Sequence, residues 1–329
     1  MTSLRIGVMG CADIARRRML PAMAAADGVE VTAVASRDEQ RASELAGRFG
    51  ARPVHGYEEL LEQADVDAVY LPLPAALHDR WIETSLLAGK HVLAEKPLTT
   101  DARRTAELLT LAEKSGLALM ENVMFVHHPQ HKQVQELVSS GAIGELRSLR
   151  AEFAIPGLSD GDIRHSAELG GGSLFDTGVY PVRAALHFLG DRLEVLGAAL
   201  HSVPGRTVDI AGSALLRSPD GVTAQLSFGL DHSYSSRYEL WGSEGRITVD
   251  RAFTPPADYR PQMRLESRFG TEVRELEPAD QAIAAVTAFT AAAVTFPPEA
   301  PRDRISLHQA RLIQKIRDSA TSCLSLQDP

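Results

Sequence analysis

Cysteine is nearly absent from this chain: Cys11 and Cys323 are the 2 in 329 residues. Two thiols make no disulfide framework. Their scarcity fits a reducing compartment, so the cytoplasm is the expected location. Basic charge is in deficit too, with 34 Lys and Arg against 43 Asp and Glu, a formal net charge of -9. A mildly acidic surface argues against nucleic acid or an anionic membrane as partner, because both need a basic face. No apolar run approaches the roughly 20 residues that span a bilayer. Met1-Thr2-Ser3 leads straight into a strand-like run, with no secretory signal ahead of it. Internal repeats and low-complexity tracts are missing as well. What is present is the balance of a packed globular protein, 44% apolar and 23% charged, long enough for two domains.

The first half alternates short apolar strands with helices. Strands are expected at Leu4 to Met9, Val29 to Ala35, Asp67 to Leu71, His91 to Ala94 and Leu117 to Val123. Helices are expected at Ile14 to Ala26, Asp38 to Phe49, Ala75 to Ala88 and Asp101 to Ser115, with Asp38 as a cap and Gly89 and Gly116 as stops. This alternation implies a parallel sheet covered on both faces. The second half changes character. A strand at Glu145 to Ile155, a Gly-rich loop at Gly170-Gly171-Gly172 and a helix from Val179 to Leu189 come first. Strands then follow one another at Leu193 to Ser202, Val208 to Leu216, Thr223 to Leu230, Ser236 to Trp241 and Arg246 to Val249. Consecutive strands make an antiparallel or mixed sheet. Helices at Gln281 to Thr295 and Ile305 to Thr321 close the chain, while Pro255-Pro256 and Pro297-Pro298 read as loops. The fold class is therefore α/β. Residues 1–123 form a dinucleotide-binding domain and 124–329 a domain for substrate and oligomerisation, with a C-terminal helix able to pack back on the first.

Gly10-Cys11-Ala12-Asp13-Ile14-Ala15 follows the first strand and opens the first helix. It fits the dinucleotide fingerprint G-x-G-x-x-G/A with alanine at the second glycine. The chemistry needs a tight turn, close approach of backbone to pyrophosphate, and helix N–H groups aimed at the anion. At the end of the second strand, where an NAD site usually has an acid, this chain has Ser36-Arg37. A hydroxyl and a guanidinium suit a 2′-phosphate, so NADP(H) is the expected cofactor. Arg16, Arg17 and Arg18 read mostly as solvated helix charges. Leu71-Pro72-Leu73-Pro74 should pass under the nicotinamide and ribose, with His78 starting the next helix beside the cofactor.

Glu95-Lys96-Pro97 ends another strand, and Gly170 to Tyr180 reads G-G-G-S-L-F-D-T-G-V-Y. Together with the fingerprint, these motifs resemble the glucose–fructose oxidoreductase / inositol dehydrogenase (Gfo/Idh/MocA) family along essentially the whole chain. The resemblance implies a Rossmann domain followed by an α/β domain with an open, mostly antiparallel sheet. It also implies that Lys96 lies beside the nicotinamide and that the second motif, opening a helix, faces the same ring. Arg17-Arg18-Met19-Leu20-Pro21, Met124-Phe125-Val126-His127-His128, Glu168 to Gly172 and Tyr238-Glu239-Leu240-Trp241-Gly242 look, more narrowly, like nucleotide-sugar 3-ketoreductases. These reduce the 3-keto group of a dTDP-linked 3,4-diketo-2,6-dideoxyhexose with NADPH, in deoxysugar pathways that feed antibiotic glycosylation.

Ketone reduction builds negative charge on oxygen, so the enzyme must donate a proton there or stabilise the oxyanion. Tyr180 is a donor whose unperturbed pKa of about 10 is high for the task, and a nearby ammonium would lower it. Lys96 is the candidate for that charge, and Asp176, one turn before Tyr180, for orienting Lys96 or binding a sugar hydroxyl. The expected catalytic set is Lys96, Tyr180 and Asp176. For the cofactor it is Gly10, Cys11, Ala12, Asp13, Ile14, Ser36, Arg37, Leu71, Pro72, Leu73, His78, Glu95, Lys96, Asn122 and Arg164, where Arg164 would pair with a phosphate of cofactor or substrate. His127, His128 and His131 with Glu121 lack a metal-site carboxylate pattern, and hydride transfer needs no metal, so none is expected. Two other functions stand beside the ketoreductase: a dehydrogenase of a free sugar or inositol, and a dinucleotide-sensing regulator without turnover. A small-molecule nucleotide sugar and a homodimer or homotetramer are the expected partners.

Overall fold

The computed structural model describes residues 3–294 and 304–324, with side chains as far as 320. The side chain of Cys323, together with Thr295 and Pro297-Pro298, lies outside the described residues. Two compact units emerge, Met1–Met124 with Asp280–Ser306, and Phe125–Ala279 with Leu307–Pro329.

The first unit is a six-stranded sheet in the order β3-β2-β1-β4-β5-β6, parallel throughout. Its strands are β1 Leu4–Met9, β2 Val29–Ser36, β3 Arg52–His55, β4 Ala68–Leu71, β5 His91–Glu95 and β6 Leu119–Asn122. This is the doubly wound dinucleotide-binding order, in which the strand direction of growth reverses between β1 and β4. The helices are α1 Leu20–Ala25, α2 Glu39–Arg48, α3 Tyr57–Leu61, α4 His78–Leu87 and α5 Ala102–Ser115, with α8 Gln281–Val294 returning from late in the chain. Alternation along each strand separates two cores. Ile6, Val8, Tyr70 and Leu93 meet Leu20, Val286 and Phe289 on one face. Met9, Val69, Leu71 and Val92 meet Trp81, Ile82 and Leu108 on the other. Asp38 and Asp101 cap α2 and α5 by accepting from Arg41 N at 3.1 Å and Arg103 N at 2.7 Å. Each such cap is worth about 1 kcal/mol.

The second unit holds an eight-stranded sheet, β14-β13-β12-β11-β7-β10-β9-β8, in which β7 and β10 run parallel and every other neighbouring pair antiparallel. Its strands are β7 Leu146–Ala154, β8 Glu194–His201, β9 Ala211–Arg217, β10 Thr223–Gly229, β11 Ser235–Gly242, β12 Gly245–Asp250, β13 Gln262–Ser267 and β14 Gly270–Glu275. The helices α6 Pro129–Ser139, α7 Val179–Leu189 and α9 Ile305–Leu324 belong to the same unit. Strand alternation buries Leu149, Ala151, Phe153, Leu226, Phe228, Tyr238 and Leu240 on one face, while Arg150, Gln225, Ser227 and Trp241 point outward.

The structure departs from the sequence expectations in places. The first helix begins as a π-turn over Ala15–Met19, and Ala75–Leu77 is a 3-10 turn ahead of α4. Elements β3, α3, α6, β13 and β14 are additional.

Candidate active site

The fingerprint turn has the required geometry. Gly10 has a φ of +118°, and a Cβ there would lie 3.0 Å from Leu73 Cδ2 and 3.7 Å from Tyr57 Oη. A side chain at residue 10 would be strained by conformation and would crowd Leu73. The backbone N–H groups of the first helical turn have no intrahelical acceptor and present themselves to an anion. These features fit a dinucleotide pyrophosphate. Ser36, buried at the end of β2, accepts from Asp38 N at 3.1 Å, while Arg37 is exposed beyond it. Two neighbours were not anticipated. Arg41, one turn into α2, donates from Nη2 to the Cys11 carbonyl at 3.1 Å. Tyr57 stands edge-on to Trp81, ring centroids 5.0 Å apart, and burial raises its phenol pKa against the pull of the nearby Arg37 charge. Arg41 lies in the first turn of α2, three residues past its Asp38 cap, and a basic residue at that place was the available signal. Burial pushes the Cys11 thiol up, away from thiolate character.

At the carboxyl ends of β4, β5 and β6 the motif residues are tied down one by one. Burial holds the Tyr70 phenol protonated, and it donates to Glu95 Oε1 at 2.7 Å. Asn122 is buried and donates to the same oxygen at 2.7 Å and toward Met19 Sδ at 3.3 Å. The Lys96-Pro97 peptide is cis. Leu98 N donates to Glu121 Oε1 at 2.9 Å. His78 is buried completely, its ring engaged by the carbonyls of Leu73 and Pro97.

In the second unit Tyr180 is 9% exposed, on the first turn of α7, and its ring is nested among Phe153, Phe253 and Phe125 with centroids 4.5, 5.8 and 6.1 Å away. Aromatic contacts on several sides fix the ring plane and so the direction of its hydroxyl. A π-turn over Leu174–Gly178 precedes it. Such turns recur at functional sites, and the other one in the described residues opens the fingerprint helix. Asp176 Oδ2 accepts from Arg164 Nε at 2.8 Å, and Asp162 engages Arg164 Nη1 at 3.1 Å. Burial works against charge on Arg164, but the two carboxylates outweigh it and raise its pKa. The guanidinium is thus a permanently charged clamp on Asp176. The triple glycine makes this possible: a Cβ on Gly171 would fall 2.4 Å from the Arg164 carbonyl oxygen, and Gly172 N donates to that oxygen at 2.9 Å.

Two of the three clustered histidines have structural partners. His128 caps α6 by accepting from Gln130 N at 3.2 Å. His131 is bonded to Tyr238 Oη at 3.0 Å and the Ala252 carbonyl at 3.1 Å. Among the described residues no group of three or more His, Cys, Asp or Glu is arranged to hold a metal ion.

Residues 4–123 match the oxidoreductase family with the NAD-binding Rossmann fold, and 131–248 match the GFO/IDH/MocA C-terminal domain. This chain belongs to the GFO/IDH/MocA oxidoreductase family. Within the family it is 51% identical over 319 residues to the dTDP-3,4-didehydro-2,6-dideoxy-alpha-D-glucose 3-reductase of Actinomadura kijaniata, with 96% of each chain covered. To the reductase of the same name from Streptomyces violaceoruber it is 52% identical over 327 residues, covering 97% of this chain and 96% of that one. Its structure is similar to KijD10, a 3-ketoreductase from Actinomadura kijaniata in complex with NADP and TDP-benzene. The TM-score is 0.94 at 51% identity, over 97% of this chain and 98% of that one. KijD10 has also been solved with a tyrosine changed to phenylalanine and with a lysine changed to alanine. Those two positions are as far apart in that chain as Tyr180 and Lys96 are here.

Proposed function

We propose that this protein is an NADPH-dependent reductase of the 3-keto group of a dTDP-linked 3,4-didehydro-2,6-dideoxyhexose, working in the cytoplasm in deoxysugar biosynthesis. The observation that carries the reading is a complete family motif set on a chain that matches named 3-reductases end to end: Glu95-Lys96-Pro97 together with Asp176-Thr177-Gly178-Val179-Tyr180. Bound at the fingerprint turn, the cofactor supplies the hydride. Gly10, Cys11, Ala12, Asp13 and Ile14 cradle its pyrophosphate, while Ser36 and Arg37, joined by Arg41, hold the 2′-phosphate. Leu71, Pro72 and Leu73 form the turn beneath the ribose and nicotinamide.

Tyr180 is the proton donor to the ketone oxygen, and Lys96 supplies the positive charge that eases the transfer and holds a ribose hydroxyl. Asp176, fixed by Arg164, accepts from a hydroxyl of the sugar. Arg164 acts on the substrate side through that carboxylate. Glu95 and Asn122 support the Lys96 turn from within the sheet.

The assembly is a homo-oligomer built through the outward face of the second sheet. Arg237 stands opposite Glu152 and Glu239 opposite Arg150 on that face, with exposed Trp241 beside them. Alternating charges around an exposed aromatic complement a second copy of themselves under a two-fold axis.

Cofactor oxidation tests the function. NADPH should be consumed with the nucleotide-linked ketosugar and far more slowly with a free sugar or inositol. Faster turnover of the free sugar would favour a sugar dehydrogenase, and tight NADPH binding without turnover a sensor.

A further inference from the structure

His78 carries a role that differs from direct cofactor contact. Its imidazole lies between two backbone carbonyls, with Nδ1 at 2.8 Å from the oxygen of Pro97 and Nε2 at 2.8 Å from the oxygen of Leu73. Both are full hydrogen-bonding distances. Leu73 belongs to the turn after β4, Pro97 to the turn after β5, and these strands are neighbours. The neutral ring has one N–H, so it donates to one of these two carbonyls and is packed against the other, wedged between the two turns. Burial outweighs the two carbonyls and the Glu95 carboxylate and lowers the His78 pKa, so the ring is held neutral. The turn on the Pro97 side has its own anchors on either flank, since Glu95 is gripped by Tyr70 and Asn122 and Leu98 by Glu121. Lys96 is the residue in the middle of that arrangement.

We infer that His78 is a positioning residue: its ring bridges the Leu73 turn to the Pro97 turn and so sets where Lys96 leaves the sheet. The inference rests on the reading of Lys96 as a participant in ketone reduction. His78 itself, with 0% exposure, acts through the backbone and touches no reactant.

Two substitutions divide the bridge. His78→Asn places an amide nitrogen near the position of Nδ1 and retains a donor for Pro97. His78→Gln places one near Nε2 and retains a donor for Leu73. In the cofactor-free protein, amide hydrogen exchange should quicken in residues 95–99 for the Gln variant and in residues 71–77 for the Asn variant. Per mole of NADPH-binding protein, kcat should fall by about tenfold or more in the Gln variant and by less than about threefold in the Asn variant, because misplacing a reacting group by a fraction of an ångström is costly. The NADPH Kd should rise along with the loss of kcat in the Gln variant, because Lys96 also holds a ribose hydroxyl, and stay within about threefold of wild type in the Asn variant. Equal losses of kcat and of amide protection in the two variants would overturn the inference. So would failure of both to fold into NADPH-binding protein, which would make His78 a packing residue. A wild-type enzyme that turns over no ketosugar would instead defeat the reading of Lys96, and the exchange data would still judge the bridge.

Discussion

The two sheets solve the same burial problem in different ways. In the first, apolar residues on both sides of the central strands meet helices, so Ile6 and Val8 enter one core and Met9 the other. In the second, the central strands alternate: Leu149, Ala151 and Phe153 are buried while Arg150 is exposed and Glu152 half-exposed. A parallel sheet sandwiched by helices gains its site at the strand ends. A sheet with one polar, outward face gains a surface that another chain can use. In the proposed mechanism the reacting groups of both units sit at helix starts and turns. Each unit contributes one π-turn there, at Ala15–Met19 and at Leu174–Gly178.

The comparison is sharpened most by removing the reacting groups from each unit in turn. Tyr180→Phe deletes one hydroxyl from a ring held by three phenylalanines, so the fold and NADPH affinity should survive while kcat falls by about a hundredfold or more. Lys96→Met should lower kcat and weaken NADPH binding together, because in the proposed mechanism its ammonium serves two partners. Steady-state kinetics with cofactor titration separate the two patterns. A Tyr180→Phe enzyme within about threefold of wild type would shift the acid role to Lys96.

A smaller effect is expected at the far end of the first unit. Arg37→Ala should raise KM for NADPH by about tenfold and leave NADH nearly unchanged, the signature of a lost phosphate contact. Arg41→Ala should do the same more weakly. Equal responses of the two cofactors would remove both residues from 2′-phosphate recognition.

Acid should unsettle the second unit through its histidine core. Burial lowers the pKa of His187 to about 4 and pushes His131 well below the ordinary imidazole value. Unfolded imidazoles titrate near 6.5, so below that pH the unfolded chain takes up protons that the folded one refuses. Stability is therefore full above about pH 6.5 and declines as pH falls toward 4, by roughly 3 kcal/mol from His187 alone. His187→Phe should flatten that part of the Tm against pH curve, and an unchanged slope would contradict the assignment.

The outward sheet face offers the gentlest break. Trp241→Asp should dissociate the oligomer, seen by light scattering as a fall to the mass of one chain, with little change in the secondary structure seen by circular dichroism. A wild-type protein already monomeric at working concentration would end the proposal.

Much of this was legible before the structure. Gly116 ends α5 in the left-handed conformation that its position in the sequence implied, and Asp38 caps α2 as its place ahead of an amphipathic run suggested. The alternating strand-helix order of the first half carried the parallel sheet. Elements that escaped had weak local signals. Strand β3 is four residues with Pro53 inside and three positions exposed, as an edge strand tolerates. The β13–β14 hairpin is charged and largely exposed, and α6 begins on a proline amid histidines. At the site, motif positions were readable because glycine and fingerprint geometry act locally. The partners of His78 and Arg164 were not, because a ring between two carbonyls and a guanidinium between two carboxylates depend on which turns the fold brings together.

The central claim is that hydride goes to C-3 of the sugar. NADPH deuterated at C-4 of the nicotinamide, on the face that is transferred, tests it directly when incubated with the dTDP-linked 3,4-didehydro-2,6-dideoxyhexose and followed by NMR of the product. One deuterium is expected at C-3, beside a new hydroxyl. Label at C-4 of the sugar, or NADPH retained in full, would contradict it.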